Sequence, residues 1–126
     1  MTTTPIVRTG IDSGHLSEAL LLRLRDRLFI ECSQLAAESD EHHAVLSELA
    51  GRSDRDSLVE YERVSSAIMR CGDEIIETFQ ALLRLDAGTY GMCQACGGPI
   101  AVARLDVAPR TRRCAVCASS PSLRSG

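Results

Sequence analysis

The chain has 126 residues, of which 44% are hydrophobic, but it contains no Trp and only two Phe and two Tyr. This length allows one compact domain, or a small domain with one extended element, and the composition excludes a large aromatic core. The net charge of −3 is unevenly distributed, because residues 38–62 carry eight acidic side chains against two Arg, whereas from residue 93 onwards five Arg oppose one Asp. The sequence shows neither a secretory signal pattern nor an apolar stretch long enough for a membrane span, so we expect a cytoplasmic protein.

The N-terminal part of the chain predicts a leader followed by a long helix. Residues 1–12 lack hydrophobic periodicity and contain Pro5 and Gly10, which predicts a disordered leader. The next segment has apolar residues three, four and seven positions apart: Leu16, Leu20, Leu21, Leu24, Leu28 and Leu35. This spacing predicts an amphipathic helix over about 15–50, with Gly51 as its C-terminal stop. Such a helix is about 54 Å long, which exceeds the diameter of a globule of this size.

A second helix is predicted after a short acidic turn at residues 51–56. Ser57, followed three positions later by Glu60, makes a capping-box pattern at its start. Its predicted heptad seam consists of Leu58, Tyr61, Ser65, Ile68, Gly72, Ile75, Phe79 and Leu82. A short turn makes the two helices antiparallel neighbours, so residues 13–87 are predicted to form a coiled-coil hairpin with its tip at the turn. At Gly72 we expect a close approach of the two helices, with a flexible point as the alternative.

Four cysteines in two CxxC pairs predict a zinc site near the C-terminus. The pairs are Cys93 with Cys96 and Cys114 with Cys117, and seventeen residues separate them. In a reducing compartment this spacing indicates one zinc ion with four thiolate ligands, which closes the coordination sphere and makes the site structural. Nothing in this pattern indicates an enzyme. The fold class is therefore all-α dominated: a long antiparallel coiled-coil hairpin, a small four-cysteine zinc finger at 88–118, and a disordered tail at 119–126.

Two further cysteines and two histidines lie within the predicted helices. Cys32 and Cys71 are expected to pack in the core as small apolar side chains, with a redox sensor as the alternative. His42 and His43 lie in an acidic run. We expect them to be solvated, because no third ligand occurs at a suitable spacing.

The C-terminal motif resembles the DksA/TraR C4-type zinc finger family. The matching residues are Gly88, Tyr90, Gly91, Cys93, Cys96, Gly97, Ile100, Arg104, Leu105, Pro109, Cys114 and Cys117. The resemblance implies a protein that binds bacterial RNA polymerase and inserts its coiled coil into the secondary channel. It also implies that acidic tip residues lie near the polymerase active site and that DNA is not bound sequence-specifically.

The predicted tip departs from the pattern of that family. Asp54 matches one of the two tip aspartates of the family, but the other falls at Gly51, and Asp56 replaces a small alanine. The resemblance assigns Asp54 to the tip that faces the polymerase active site, and we assign Asp56 to the same tip because of its position two residues further on. Relatives that help polymerase bind guanosine tetraphosphate use basic residues on the second helix, whereas residues 73–83 have none and Arg70 is the nearest. Alarmone binding therefore has less basis here than polymerase binding.

Two other functions are compatible with the sequence. The arginines near the cysteines favour a nucleic-acid-binding zinc ribbon: Arg104, Arg110, Arg112, Arg113 and Arg124. A coiled coil that pairs between chains would instead make an adaptor protein. The short turn at 51–56 favours a hairpin within one chain, as do Ser65 and Gly72, which pack less apolar surface than Leu or Ile would at these seam positions. We therefore expect a monomer.

Overall fold

The computed structural model describes residues 15–119, so the predicted leader at 1–12 and the tail beyond residue 119 lie outside the described residues. The helices are α1 (Glu18–Leu49), α2 (Arg55–Ala87), α3 (Val102–Val107) and α4 (Ala115–Ala118). The two long helices pack against each other as an antiparallel hairpin. The prediction of a mostly helical chain with a small cysteine-rich end is confirmed. Among these described residues, no helix is both long enough and apolar enough to cross a membrane.

Helix α1 begins at a side-chain cap and buries its first half. The hydroxyl oxygen of Ser17 accepts a hydrogen bond of 3.1 Å from the Leu20 amide, which satisfies one of the free N–H groups at the helix start. Five residues of the predicted apolar face are buried: Leu16, Leu20, Leu21, Leu24 and Leu28. The helix ends at Leu49, and Gly51 has a φ of +89° in the turn that follows. The turn between the two helices covers residues 50–54, so it overlaps the predicted tip at 51–56, whose last two residues already belong to α2.

Helix α2 is capped by a different residue from the one predicted. The carboxylate of Asp54 accepts a hydrogen bond of 3.0 Å from the Ser57 amide, and the helix begins at Arg55. The prediction of Ser57 as the cap is wrong, because its side chain is buried in the first turn instead. The other end is closed by Gly88, whose φ of +78° allows its N–H to reach the carbonyls of Arg84 and Leu85.

The buried face of α2 lies one position away from the predicted seam. Its buried residues are Ser57, Val64, Ala67, Cys71, Thr78, Ala81, Arg84 and Leu85. Of the predicted seam, Leu58, Tyr61 and Phe79 are exposed, by 52%, 39% and 57%. The two stripes are about 100° apart on the helix surface, and the larger apolar residues lie on the outer one. Hydrophobicity alone therefore places the seam one position off, because the fully buried positions carry mainly small side chains. The other residues of the predicted seam are half-buried at its edge: Ser65, Ile68, Gly72, Ile75 and Leu82.

Gly72 does not mark a close approach of the helices. A Cβ atom placed on Gly72 would have no other atom within 4 Å, apart from its own helix backbone and chain neighbours. The expected helix contact at this position is wrong, for the same reason that the seam was misplaced: Gly72 lies at the half-buried edge of the seam rather than on its buried face.

The hairpin and the cysteine-rich segment share one hydrophobic core at the base of the hairpin. Its members come from both parts: Leu16, Leu20, Leu21, Leu24, Leu28, Ala81, Leu85, Tyr90, Cys93, Ile100, Leu105 and Cys117. Each part covers apolar surface of the other, which explains how a chain with so few aromatic residues buries a core. The distal half of the hairpin has only small buried side chains at its seam and projects from this base.

Candidate metal centre and hairpin tip

The four predicted zinc ligands converge at one point of the structure. Cys93 and Cys96 lie in the loop after α2, whereas Cys114 caps α4 and Cys117 lies within it. Their four sulfur atoms lie within 4.8 Å of one another, and the Cys96 and Cys114 sulfurs are 3.9 Å apart. Four zinc–sulfur bonds of about 2.3 Å in a tetrahedron separate the sulfurs by about 3.8 Å. The sulfur arrangement therefore fits one zinc ion.

The backbone around the first CxxC pair holds its sulfurs in place. The Gly97 amide donates to the Cys93 carbonyl at 2.8 Å, and the Cys93 amide donates to the Gly98 carbonyl at 2.7 Å. The Gly98 amide also points at the Cys96 sulfur, 3.4 Å away. Gly97 has a φ of +78°, which a side chain would strain. Amide donors that face a thiolate offset part of its negative charge and thereby stabilise it as a metal ligand.

The thiols of this cluster differ in acidity. Burial raises the pKa of Cys93, but the backbone amides of Cys114, Cys96 and Ala95 outweigh it and lower the pKa to about 6. The neighbouring Cys114 thiol, and then burial, raise the pKa of Cys117 to about 12. Four thiolates at this separation repel one another, and a divalent cation offsets that repulsion. The donor set thus fits one structural zinc ion whose coordination the four thiolates complete.

Polar contacts hold the finger together and join it to the end of α2. The Tyr90 hydroxyl donates to the Pro109 carbonyl at 2.9 Å, and burial raises the pKa of Tyr90 to about 12. The Arg84 guanidinium donates to the carbonyls of Arg110 and Thr111 at 3.3 and 3.5 Å. Desolvation lowers the pKa of Arg84. The Arg84 contacts tie the end of α2 to the finger, whereas the Tyr90 contact holds the finger together internally.

Two of the arginines that favoured nucleic-acid binding are held by the protein itself. The Arg104 side chain donates to the Arg113 carbonyl at 2.8 Å. Arg110 donates to the Glu74 carbonyl at 3.2 Å and lies 3.9 Å from the carboxylates of both Glu31 and Glu77. Arg110 therefore joins the finger to the hairpin, whereas Arg104 is held within the finger. Both engagements weaken the case for a phosphate-binding surface.

The predicted tip residues lie at the end of the hairpin away from the cysteines. Asp54 caps α2 and Asp56 lies in its first turn, where negative charge interacts favourably with the helix dipole. Both side chains are exposed. The hydrogen bond from Ser57 lowers the pKa of Asp54. Asp54 therefore has a structural role in addition to any functional one.

The structure also brings together three residues that the sequence did not connect. Glu38 and His42 on α1 lie beside Cys71 on α2, with their ligand atoms within 4.8 Å of one another. Cys71 is buried, as expected, whereas Cys32 is half-buried, and both thiols are free. The expectation that His42 lacks a third ligand partner is wrong, because Cys71 approaches it from the other helix. Only the pairing of the two helices reveals this cluster.

Comparisons with known proteins agree with the resemblance seen in the sequence. Residues 88–121 match the family model described as the prokaryotic dksA/traR C4-type zinc finger. A segment of 46 residues is 46% identical to an uncharacterized protein of Aquifex aeolicus (strain VF5), covering 36% of this chain and about a third, 32%, of that protein. The fold matches that of transcription factor DksA2 from Pseudomonas aeruginosa with a TM-score of 0.79 and 25% identity, over 91% of this chain and 92% of that one. The match to DksA2 includes the hairpin as well as the finger.

Proposed function

We propose that this chain, which has the zinc finger and the fold of DksA/TraR-type transcription factors, regulates transcription by binding bacterial RNA polymerase directly. The observation that carries the proposal is the match to DksA2, since it extends over 91% of the chain and thus over both parts. In this proposal, residues 13–87 form the part that enters the polymerase and residues 88–118 form its base. Cys93, Cys96, Cys114 and Cys117 hold the single structural zinc ion. The zinc has no open position for a substrate, so we propose no catalytic role.

The shape of the hairpin suits insertion into the secondary channel. Helix α2 contains 33 residues, which corresponds to a rod of about 50 Å. Two packed helices, each about 10 Å across, make a cross-section that is narrow compared with a globular domain. Because the core that joins hairpin and finger is confined to the base, the distal half is free to enter a narrow opening.

The tip carboxylates supply the proposed effect on transcription. Asp54 and Asp56 are both exposed at the start of α2. Negative charge close to a site that holds catalytic magnesium changes the electrostatic field in which the ion and the substrate phosphates are bound. We therefore assign these two residues to the effect on the polymerase rather than to the affinity for it.

An exposed apolar stripe on α2 supplies a surface for the polymerase. Met69, Ile76, Phe79 and Leu83 recur at helical spacing and are exposed by 71%, 56%, 57% and 52%. Apolar side chains that are contiguous and exposed mark interaction surfaces in soluble proteins. We propose that this stripe, rather than the tip, supplies most of the binding energy.

The experiment distinguishes binding to the polymerase from the effect on transcription. The doubly substituted protein with Asp54→Asn and Asp56→Asn is compared with a matched control that carries Asp40→Asn and Asp73→Asn at exposed positions along the hairpin. Asparagine is as good a helix cap as aspartate, so the tip variant keeps its fold while it loses the charge. We expect both variants to bind core polymerase like the original protein and only the tip variant to lose its effect on transcription in vitro. Failure of the original protein to bind polymerase at micromolar concentration would refute the proposal.

The remaining parts of the proposal concern location, assembly and the alarmone. We place the protein in the cytoplasm as a monomer that makes no sequence-specific contact with DNA. Guanosine tetraphosphate binding has little support, since α2 has no basic residue between 73 and 83 and Arg70 is the last one before this stretch. Of the finger arginines, Arg104 and Arg110 are held by the protein itself. Transcription from a ribosomal RNA promoter and from an amino-acid biosynthesis promoter, with and without the alarmone, gives both its involvement and the sign of the effect.

A further inference from the structure

Three potential metal ligands meet in the middle of the hairpin, separate from the four cysteines of the finger. Glu38 and His42 are four positions apart on α1, which places them on one face of the helix. Cys71 lies opposite them on the seam of α2 and is 2% exposed. One carboxylate oxygen, one imidazole nitrogen and one sulfur lie within 4.8 Å of one another. These are the donor types that zinc binds in proteins.

The imidazole of His42 lacks a hydrogen-bond partner within this cluster. Its Nε2 atom is buried and, in the described part of the chain, is the sole buried side-chain nitrogen or oxygen without a hydrogen bond. The Glu38 carboxylate lies 3.6 Å from it, which is longer than a hydrogen bond. Burying a polar atom without a partner is costly, and a metal ion between these groups would remove that cost. The neighbouring His43 differs, because its Nδ1 atom lies 2.9 Å from the Ser39 carbonyl.

The surroundings of the cluster favour a cation. Burial raises the pKa of Cys71, and the nearby carboxylates of Glu38 and Glu74 raise it further. A divalent ion would reverse this preference, because it stabilises the thiolate and takes up the negative charge of the carboxylate. Glu38 also lines a cleft of about 280 Å³ between α1 and residues 107–110. Its side chain is 49% exposed, so the cluster is open to solvent on this side.

We propose that Glu38, His42 and Cys71 form a second zinc site that joins α1 to α2. Zinc binds one oxygen, one nitrogen and one sulfur from the protein, and a water molecule completes the tetrahedron. Binding releases the thiol proton of Cys71 to solvent as the zinc–sulfur bond forms. The ion ties the two helices together where their seam contains only small side chains, so it stabilises the distal hairpin. This inference does not depend on the proposed action on RNA polymerase.

Metal stoichiometry tests the proposal on the full chain. The protein is dialysed against buffered Zn²⁺ at micromolar concentration, and bound zinc is counted by atomic emission. We expect two zinc ions per chain in the original protein and one in the variants His42→Gln, Glu38→Gln and Cys71→Ser. The matched controls His43→Gln and Cys32→Ser are expected to retain two. One zinc ion in the original protein, or loss of the second ion in the controls as well, would overturn the proposal.

A second measurement identifies the ligands. Co²⁺ replaces Zn²⁺, and the spectrum of Cys71→Ser is subtracted from that of the original protein, so that the absorption of the finger cancels. We expect the difference to show a thiolate-to-cobalt charge-transfer band from one sulfur, and the same band to be absent from His42→Gln. Far-ultraviolet circular dichroism shows whether each variant keeps its helices. A difference spectrum without such a band in folded variants would contradict the proposal, whatever the polymerase assays show.

Discussion

Replacing Gly72 by alanine is expected to stabilise the hairpin. Gly72 lies inside α2, and a Cβ atom there would meet no other atom within 4 Å, so the new methyl group neither clashes nor packs. The change then acts through backbone entropy, since glycine has more freedom to lose in the unfolded chain. In a helix interior this difference is about 1 kcal/mol. For a domain of this size, the same amount raises the midpoint of thermal unfolding by about 4 °C.

The assay is thermal unfolding followed by circular dichroism, with zinc present in excess so that metal loss does not obscure the transition. Gly91→Ala is the control, because Gly91 has a φ of +87° and an added Cβ would lie 2.8 Å from a methyl carbon of Leu16. We expect this control to lower the midpoint. If Gly72→Ala also lowered it, the helices would approach each other at Gly72, and the placement of the α2 seam would be wrong.

Three further predictions concern the cap, the base and the zinc. The hydrogen bond from Ser57 lowers the pKa of Asp54 below its ordinary value of 3.8 in the folded protein. The stability that it contributes is therefore present above pH 3.8 and is lost as the pH falls through the lower folded pKa. Asp54→Ala should flatten the dependence of the urea midpoint on pH in this acidic range. Tyr90→Phe removes the hydroxyl that donates to Pro109 and should cost about 1 kcal/mol in urea unfolding, whereas no loss would mean that this bond is not formed. Chelation of zinc should expose the amides of residues 90–117 to hydrogen exchange before those of α1, and simultaneous exchange would contradict a metal-held finger.

The zinc finger was the most predictable part of the molecule. Two CxxC pairs at this spacing specify a metal site by ligand chemistry alone, and the structure brings all four sulfurs together. The buried face of α1 is also predictable over its first half, because the leucines that recur there at helical spacing are all buried: Leu16, Leu20, Leu21, Leu24 and Leu28. Leu35, which continues the predicted face, is only half-buried.

The pairing of the two helices was not predictable from hydrophobicity. On α2 the stripe with Leu58, Tyr61 and Phe79 is more apolar than the stripe with Ala67 and Cys71, yet the second is the buried one. Small side chains allow two helices to pack closely, and a surface that binds a partner can keep its large apolar residues exposed. Counting apolar residues at helical spacing cannot distinguish a face that packs against the other helix from a face that binds a partner.

Prediction of the cluster of Glu38, His42 and Cys71 also requires the pairing of the two helices. The i,i+4 pair on α1 is visible in the sequence, but its third member is on the other helix and becomes adjacent only once the helix register is known. The cap at Asp54 is not predicted for a local reason. Ser57 and Glu60 match the capping-box pattern, whereas Asp54 caps the helix through one hydrogen bond from the Ser57 amide and has no such pattern.

Photocrosslinking from the tip tests the central proposal most directly. A photoreactive amino acid replaces the exposed Ser53 in the turn between α1 and α2, and a second protein carries it at the exposed Glu18 at the start of α1. With purified bacterial RNA polymerase, we predict crosslinks from position 53 to polymerase peptides that surround the catalytic magnesium, and none to these peptides from position 18. Crosslinks from position 53 only to the outer surface of the polymerase, or none at all with the protein in excess, would contradict insertion of the hairpin into the secondary channel.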